Sequence, residues 1–199
     1  MVRHKEETNH LCFRTVSALQ KDASPVTKIT IVPSTMGSLG YTLYLPEEEK
    51  HLHTRNELLV ELRSLLGGRA AEEIVFGTVT AGAANDIQQA TGMARNMVAL
   101  YGMSEELGLM AAASVSSRYL DGAAHMDCSE ETAALVDKAV KKLLSEAYAA
   151  AKELLTENRA LLDEIAEYLL LKETISGEEL MSFVNAPKAE EPSIEETAE

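Results

Sequence analysis

Apolar residues recur at two spacings along this chain, and the change of spacing marks where one kind of structure gives way to another. Between Pro25 and Pro46, Ile29 and Ile31 and then Tyr41, Leu43 and Leu45 alternate with polar neighbours, with Met36-Gly37-Ser38-Leu39-Gly40 between the two runs. Side chains two apart share one face of a strand, so this stretch predicts a β-hairpin or a pair of edge strands. Beyond it the apolar residues fall three and four apart. Thr54-Arg55-Asn56-Glu57 has capping-box form and opens a helix with Leu58, Leu59, Leu62, Leu65 and Leu66 on one face. Gly67-Gly68 then permits close packing or a bend before Ala70 to Phe76. Asn85-Asp86-Ile87-Gln88 is a second N-cap signal, ahead of Ile87, Ala90, Met93, Ala94, Met97 and Val98 at helical spacing. Residues 104–128, with Gly108, Gly122 and a Ser-rich patch, read as an irregular, mobile connection.

From Glu130 a long helix carries Val136, Val140, Leu143, Ala147, Ala151 and Leu154. It breaks near Asn158, and a second helix presents Leu161, Leu162, Ile165, Leu169 and Leu170. Adjacent periodic helices with a short link are expected to fold back as an αα-hairpin. Ser176-Gly177-Glu178-Glu179 caps one last short helix. The fold class predicted is mainly α, with a small β-hairpin near the N-terminus and a C-terminal αα-hairpin. One domain is expected over residues 1–185. The Pro-, Ala- and Glu-rich tail 186–199 has too few apolar residues to fold and is expected to be disordered.

Composition narrows the partners. The 199 residues carry 18 Lys and Arg against 32 Asp and Glu, a formal net charge of −14, and the longest basic run is Lys141-Lys142. Such a balance repels nucleic acid, so no nucleic-acid partner is expected. No apolar stretch approaches a membrane span, and the start MVRHKEETNH has no signal-peptide core, so the expected location is cytoplasmic. No GxxxxGK[ST] occurs, hence no nucleotide site is expected in this chain, and no GxSxG nucleophile elbow is present.

Five segments change the picture: PVTKITIVP (25–33), MGSLGYTLYLPEEE (36–49), LLGGRAAEEIVFG (65–77), TAGAANDIQQAT (80–91) and YGMSEELG (101–108). Together they resemble the peptidase domain of the FtsH family, whose members are membrane-anchored, ATP-dependent zinc metalloproteases. Residues 128–180 are similar to the family's C-terminal helices, so the resemblance runs from about residue 14 to residue 184. It implies a helical fold with a small β element, a zinc cofactor and polypeptide substrates. It also implies a homo-oligomer of six subunits in a ring, beneath the ATPase module of the same family and at the cytoplasmic face of a membrane.

The family's zinc site begins with HExxH, whose two His stand one helical turn apart while the Glu activates water. The resemblance places that motif in residues 1–24, where this sequence is atypical. Counting back without gaps puts it on Asn9, His10 and Phe13; a rival register uses Glu6, Glu7 and His10 and needs three extra residues before Pro25. Neither contains HExxH, so the catalytic residues are left unassigned. The family's third metal ligand, an Asp, is matched by Asp86. As plain chemistry, Asp86 is also a helix-start carboxylate favoured by the exposed N–H groups and the dipole. Glu72 and Glu73 resemble a family segment packed near the site. On spacing alone they are a helix-surface pair, with Arg69 set to bridge Glu73 at i+4. His10-x-Cys12, His51-x-His53 and His125 near Cys128 are weak pairs of possible ligands. The sequence therefore predicts a peptidase domain with impaired catalysis. The alternatives are an inactive structural or regulatory ring subunit, or a fragment of an active protease.

Overall fold

Thr54 starts the first long helix by the reciprocal bonding its sequence predicts. Its hydroxyl accepts the Glu57 backbone N–H at 3.3 Å, and the Glu57 carboxylate accepts the Thr54 N–H at 2.8 Å. An N-cap of this kind contributes about 1 kcal/mol. The computed structural model describes residues 16–20, 27–31, 41–43, 52–115 and 124–186. In it, helix α1 (Arg55–Phe76) runs on through Gly67 and Gly68, both buried, and ends at Gly77, whose φ of 61° suits a residue without Cβ.

Helices α2 (Ala84–Ala99) and α3 (Glu130–Glu157) pack on α1 and on each other. Leu58, Leu62, Leu65 and Leu66 of α1 meet Ala94, Met97 and Val98 of α2 and Val136 and Val140 of α3 in one apolar cluster. Leu59, Met93 and Leu143 lie half-buried at its margin. Ile87, placed on this face by its spacing, is instead 38% exposed, because it stands in the first turn of α2 at the lip of the cluster.

Strands β1 (Lys28–Thr30) and β2 (Tyr41–Leu43) form the predicted antiparallel pair, with Ile29 opposite Thr42. Between α2 and α3 lies a second antiparallel ribbon, β3 (Ala113–Val115) and β4 (Ala124–Met126), in the stretch read as irregular. Ala112 ties it to the end of α2, donating its N–H to the Ala99 carbonyl, and accepts the Asp127 N–H from the far end of the ribbon, each at 2.9 Å. These bonds join residues far apart in the chain, and no periodicity announces them.

At Asn158 the long helix stops and α4 (Arg159–Lys172) begins at once. Asn158 bonds back to the Leu154 carbonyl through both its backbone N–H and its side-chain amide, and its own carbonyl accepts the Leu162 N–H. Ala151 and Leu155 of α3 and Leu162, Ile165 and Leu169 of α4 enter a second apolar cluster, so the two helices predicted as a hairpin share one core. Leu170 is 49% exposed, one helical step away from Leu169 and turned from that core.

The chain then folds back as β5 (Thr174–Ser176), which pairs antiparallel with β1 on the edge opposite β2 and sets Ile175 against Ile29. The predicted two-stranded element is thus three-stranded with β1 at its centre. Ser176 and Glu179 close a capping box that opens α5 (Gly177–Val184). Of the predicted tail 186–199, all but Ala186 lies outside the described residues.

Candidate functional site

The link between α1 and α2 leads into the turn that carries Asp86, and it is held by a single residue. Thr80 accepts the Gly82 N–H at 3.1 Å through its hydroxyl oxygen, which caps a 3₁₀ turn over Ala81–Ala83. The Thr80 backbone N–H and hydroxyl both donate to the Glu72 carboxylate, at 2.9 and 2.5 Å. The Thr80 carbonyl accepts from Arg69 Nη1 at 3.1 Å. Every polar group of Thr80 is therefore bonded: three bonds join it to side chains of α1, and a fourth comes from the Gly82 N–H of its own turn. The 3₁₀ turn passes straight into α2, with Asp86 half-buried in its first turn.

Two local expectations change here. The cap belongs to Thr80, one turn earlier than expected; Asn85 lies exposed inside the helix, and α2 itself has no side-chain cap. Glu72 is not a surface residue. It is fully buried, and its two bonds to Thr80 satisfy a carboxylate that burial alone would penalise heavily. A signal for this exists in the sequence. Glu72 follows Leu58 and Leu65 at intervals of seven, which puts it on the buried stripe of α1.

Glu73, the next residue, faces the other way. Its carboxylate accepts the Tyr148 hydroxyl and the Lys152 ammonium, the latter at 2.8 Å, both from α3. The bonds from Lys152 and then Tyr148 hold the Glu73 carboxyl below its ordinary value. Burial first, and the Glu73 carboxylate beside it second, push the Tyr148 hydroxyl up to about 12. Arg69 serves Thr80 rather than the expected bridge to Glu73.

Of the other candidates, His53 is exposed and Cys128 is half-buried against the first cluster. His125 belongs to β4. Glu6, Glu7, Asn9, His10, Cys12, Phe13 and His51 lie outside the described residues. Among the described residues no group of three His, Cys, Asp or Glu could hold a metal ion. Asp86 is one carboxylate where a catalytic zinc takes three protein ligands, so the described residues do not by themselves make up a zinc site.

Beside this turn, α1, α2 and α3 enclose an open groove of about 430 Å³. Leu66, Val140 and Leu144 form its apolar floor and Ile87 its lip, and Arg69, Arg95 and Lys141 line it as well. The sequence reading missed it, because its lining comes from three separate helices.

Comparison with known proteins agrees with this architecture. The profile of Peptidase family M41 matches residues 8–183. A protein of Clostridium perfringens named ATP-dependent zinc metalloprotease FtsH is 50% identical over 183 residues, covering 92% of this chain and 26% of the relative. Proteins of the same name from Thermotoga maritima and Lancefieldella parvula are 51% and 47% identical, over 85% and 89% of this chain and 28% and 27% of their own lengths. The chain thus spans about a quarter of the length of the curated relatives it matches.

Proposed function

This chain belongs to Peptidase family M41, and from that premise we propose that it is the peptidase domain of an FtsH-type ATP-dependent zinc metalloendopeptidase, impaired in hydrolysis. The observation that carries the reading is the match over residues 8–183, together with the turn ahead of Asp86, which Thr80, Glu72 and Arg69 bond together. A carboxylate meant to bind a metal needs a defined position, and a turn with every polar group bonded supplies one. In this reading Asp86 is the third metal ligand, and zinc when bound would supply a Lewis acid and an activated water. The chain's own residues hold the ligand loop still and line the groove beside it.

The reading of impairment is supported by the sequence. HExxH is absent in either register, whether the motif falls on Asn9, His10 and Phe13 or on Glu6, Glu7 and His10. Losing an imidazole ligand weakens metal binding and removes the group best suited to hold it. The sequence also lacks GxxxxGK[ST], so unfolding of polypeptide substrates would fall to an ATPase module. In the assembled protease the domain would sit in a six-membered ring at the cytoplasmic face of a membrane. A second reading, an inactive ring subunit, is favoured by one observation: the helices and both capping boxes are formed while the motif is not.

Metal content of the purified chain by plasma mass spectrometry, paired with casein hydrolysis, tests the proposal. The expected result is zinc well below one per chain and no chelator-sensitive hydrolysis. Stoichiometric zinc with hydrolysis abolished by Asp86→Ala would overturn the impairment and confirm Asp86 as a ligand. Stoichiometric zinc without hydrolysis would favour the inactive subunit.

A further inference from the structure

The groove between α1, α2 and α3 carries a charge that the chain as a whole does not. Arg69, Arg95 and Lys141 line it against one acid, Asp137, in a chain of net charge −14. Asp137 is already bonded to Arg95 at 2.9 Å, and both side chains are well exposed, so a competing carboxylate can open this rim pair at little cost. Among the described residues the Lys141 ammonium makes no ion pair. Beneath the cations, Leu66, Val140 and Leu144 offer an apolar floor in about 430 Å³, room for an aliphatic side chain and its backbone. Ile87 at the lip directly follows Asp86 in the chain, and Arg69, which lines the groove, also bonds the turn that precedes it.

We infer that this groove docks an extended polypeptide segment in which an aliphatic side chain is flanked by carboxylates. The inference rests on the peptidase reading, since the docked segment is substrate, and it deepens that reading by naming the substrate's chemistry. The aliphatic side chain enters the floor, while the flanking carboxylates meet Lys141 and Arg95. A segment with lysines in place of those carboxylates meets like charge and is turned away.

The test is fluorescence anisotropy on the full chain with two fluorescein-labelled peptides, GSELEGS and its counterpart GSKLKGS. The acidic peptide is expected to bind at least about tenfold more tightly than the lysine peptide. Lys141→Glu is expected to weaken the acidic peptide by about threefold or more, and Ile87→Asp likewise. Both positions are exposed, and circular dichroism checks that each variant folds; if Ile87→Asp does not, Lys141→Glu decides alone. Equal binding of the two peptides, or binding indifferent to Lys141→Glu, overturns the proposal. Sedimentation of the same samples covers the other occupant: self-association that Lys141→Glu dissolves would assign the groove to a second copy and overturn it too. Binding requires no hydrolysis, so a chain that binds without cleaving separates failure of the peptidase reading from failure of this one.

Discussion

The two apolar clusters are assembled in different ways. The first joins helix faces: α1, α2 and α3 each contribute residues three and four apart, and each face can be drawn from its own sequence. The second gathers Val16, Ile29, Ala70, Ala151, Ile165, Ile175 and Leu180, from segments scattered over the chain. Its sheet is closed by residues far apart in sequence, with the Thr30 and Thr174 hydroxyls 2.8 Å from each other. Helix periodicity builds the first region; loop closure, which costs entropy before any contact repays it, builds the second. Yet α1 and α3 run through both, and Tyr148 packs against each, so the two regions are expected to melt together.

The most severe challenge to that expectation is a cavity in each cluster. Leu62 and Ile165 are both fully buried, and truncating either to Ala is expected to cost about 2–5 kcal/mol. Urea denaturation should show one transition for both variants with an unchanged slope. Two transitions in Ile165→Ala, or amide protection in α2 that ignores the change, would show the clusters to be separate units.

A smaller effect is expected at the turn that joins α1 to α2. Glu72→Leu removes the acceptor of the Thr80 N–H and hydroxyl, and leaving those donors unpaired is expected to cost about 1–3 kcal/mol. Thr80→Ala added to it should cost much less than Thr80→Ala alone, and additivity in that cycle would mean the two residues do not act together.

The smallest expected effect depends on pH. The Glu73 carboxyl is held below its ordinary 4.5 chiefly by Lys152, so its stabilisation is present above that value and is lost as pH falls through the lowered folded one. Lys152→Met should therefore lower Tm at neutral pH, and the gap to the wild type should close as acid protonates Glu73. A gap of constant size down to pH 3 would assign the loss to packing of the Lys152 stem.

Local signals account for what was legible. Both capping boxes, the Asn158 break and the β1–β2 pair are written within a few residues of themselves, in side chains that bond their own backbone or alternate along it. Strand β5 was not legible, since Thr174-Ile175-Ser176 is too short for a period and its partner lies at the other end of the chain. Ile87 and Leu170 show the limit of helical spacing, which finds a face but not its edge. At the candidate site, Asp86 came from resemblance, not from physics. The buried role of Glu72 was visible in its seven-residue spacing from Leu65, but adjacency to Glu73 suggested a solvated pair instead.

Two consecutive carboxylates on α1 grip in opposite directions: Glu72 takes the turn ahead of Asp86, and Glu73 takes Tyr148 and Lys152 of α3. In mechanical terms this stretch of α1 is a rivet through three parts. A push on α3 at Lys152 reaches the Asp86 turn across one peptide unit, with no flexible loop between to absorb it.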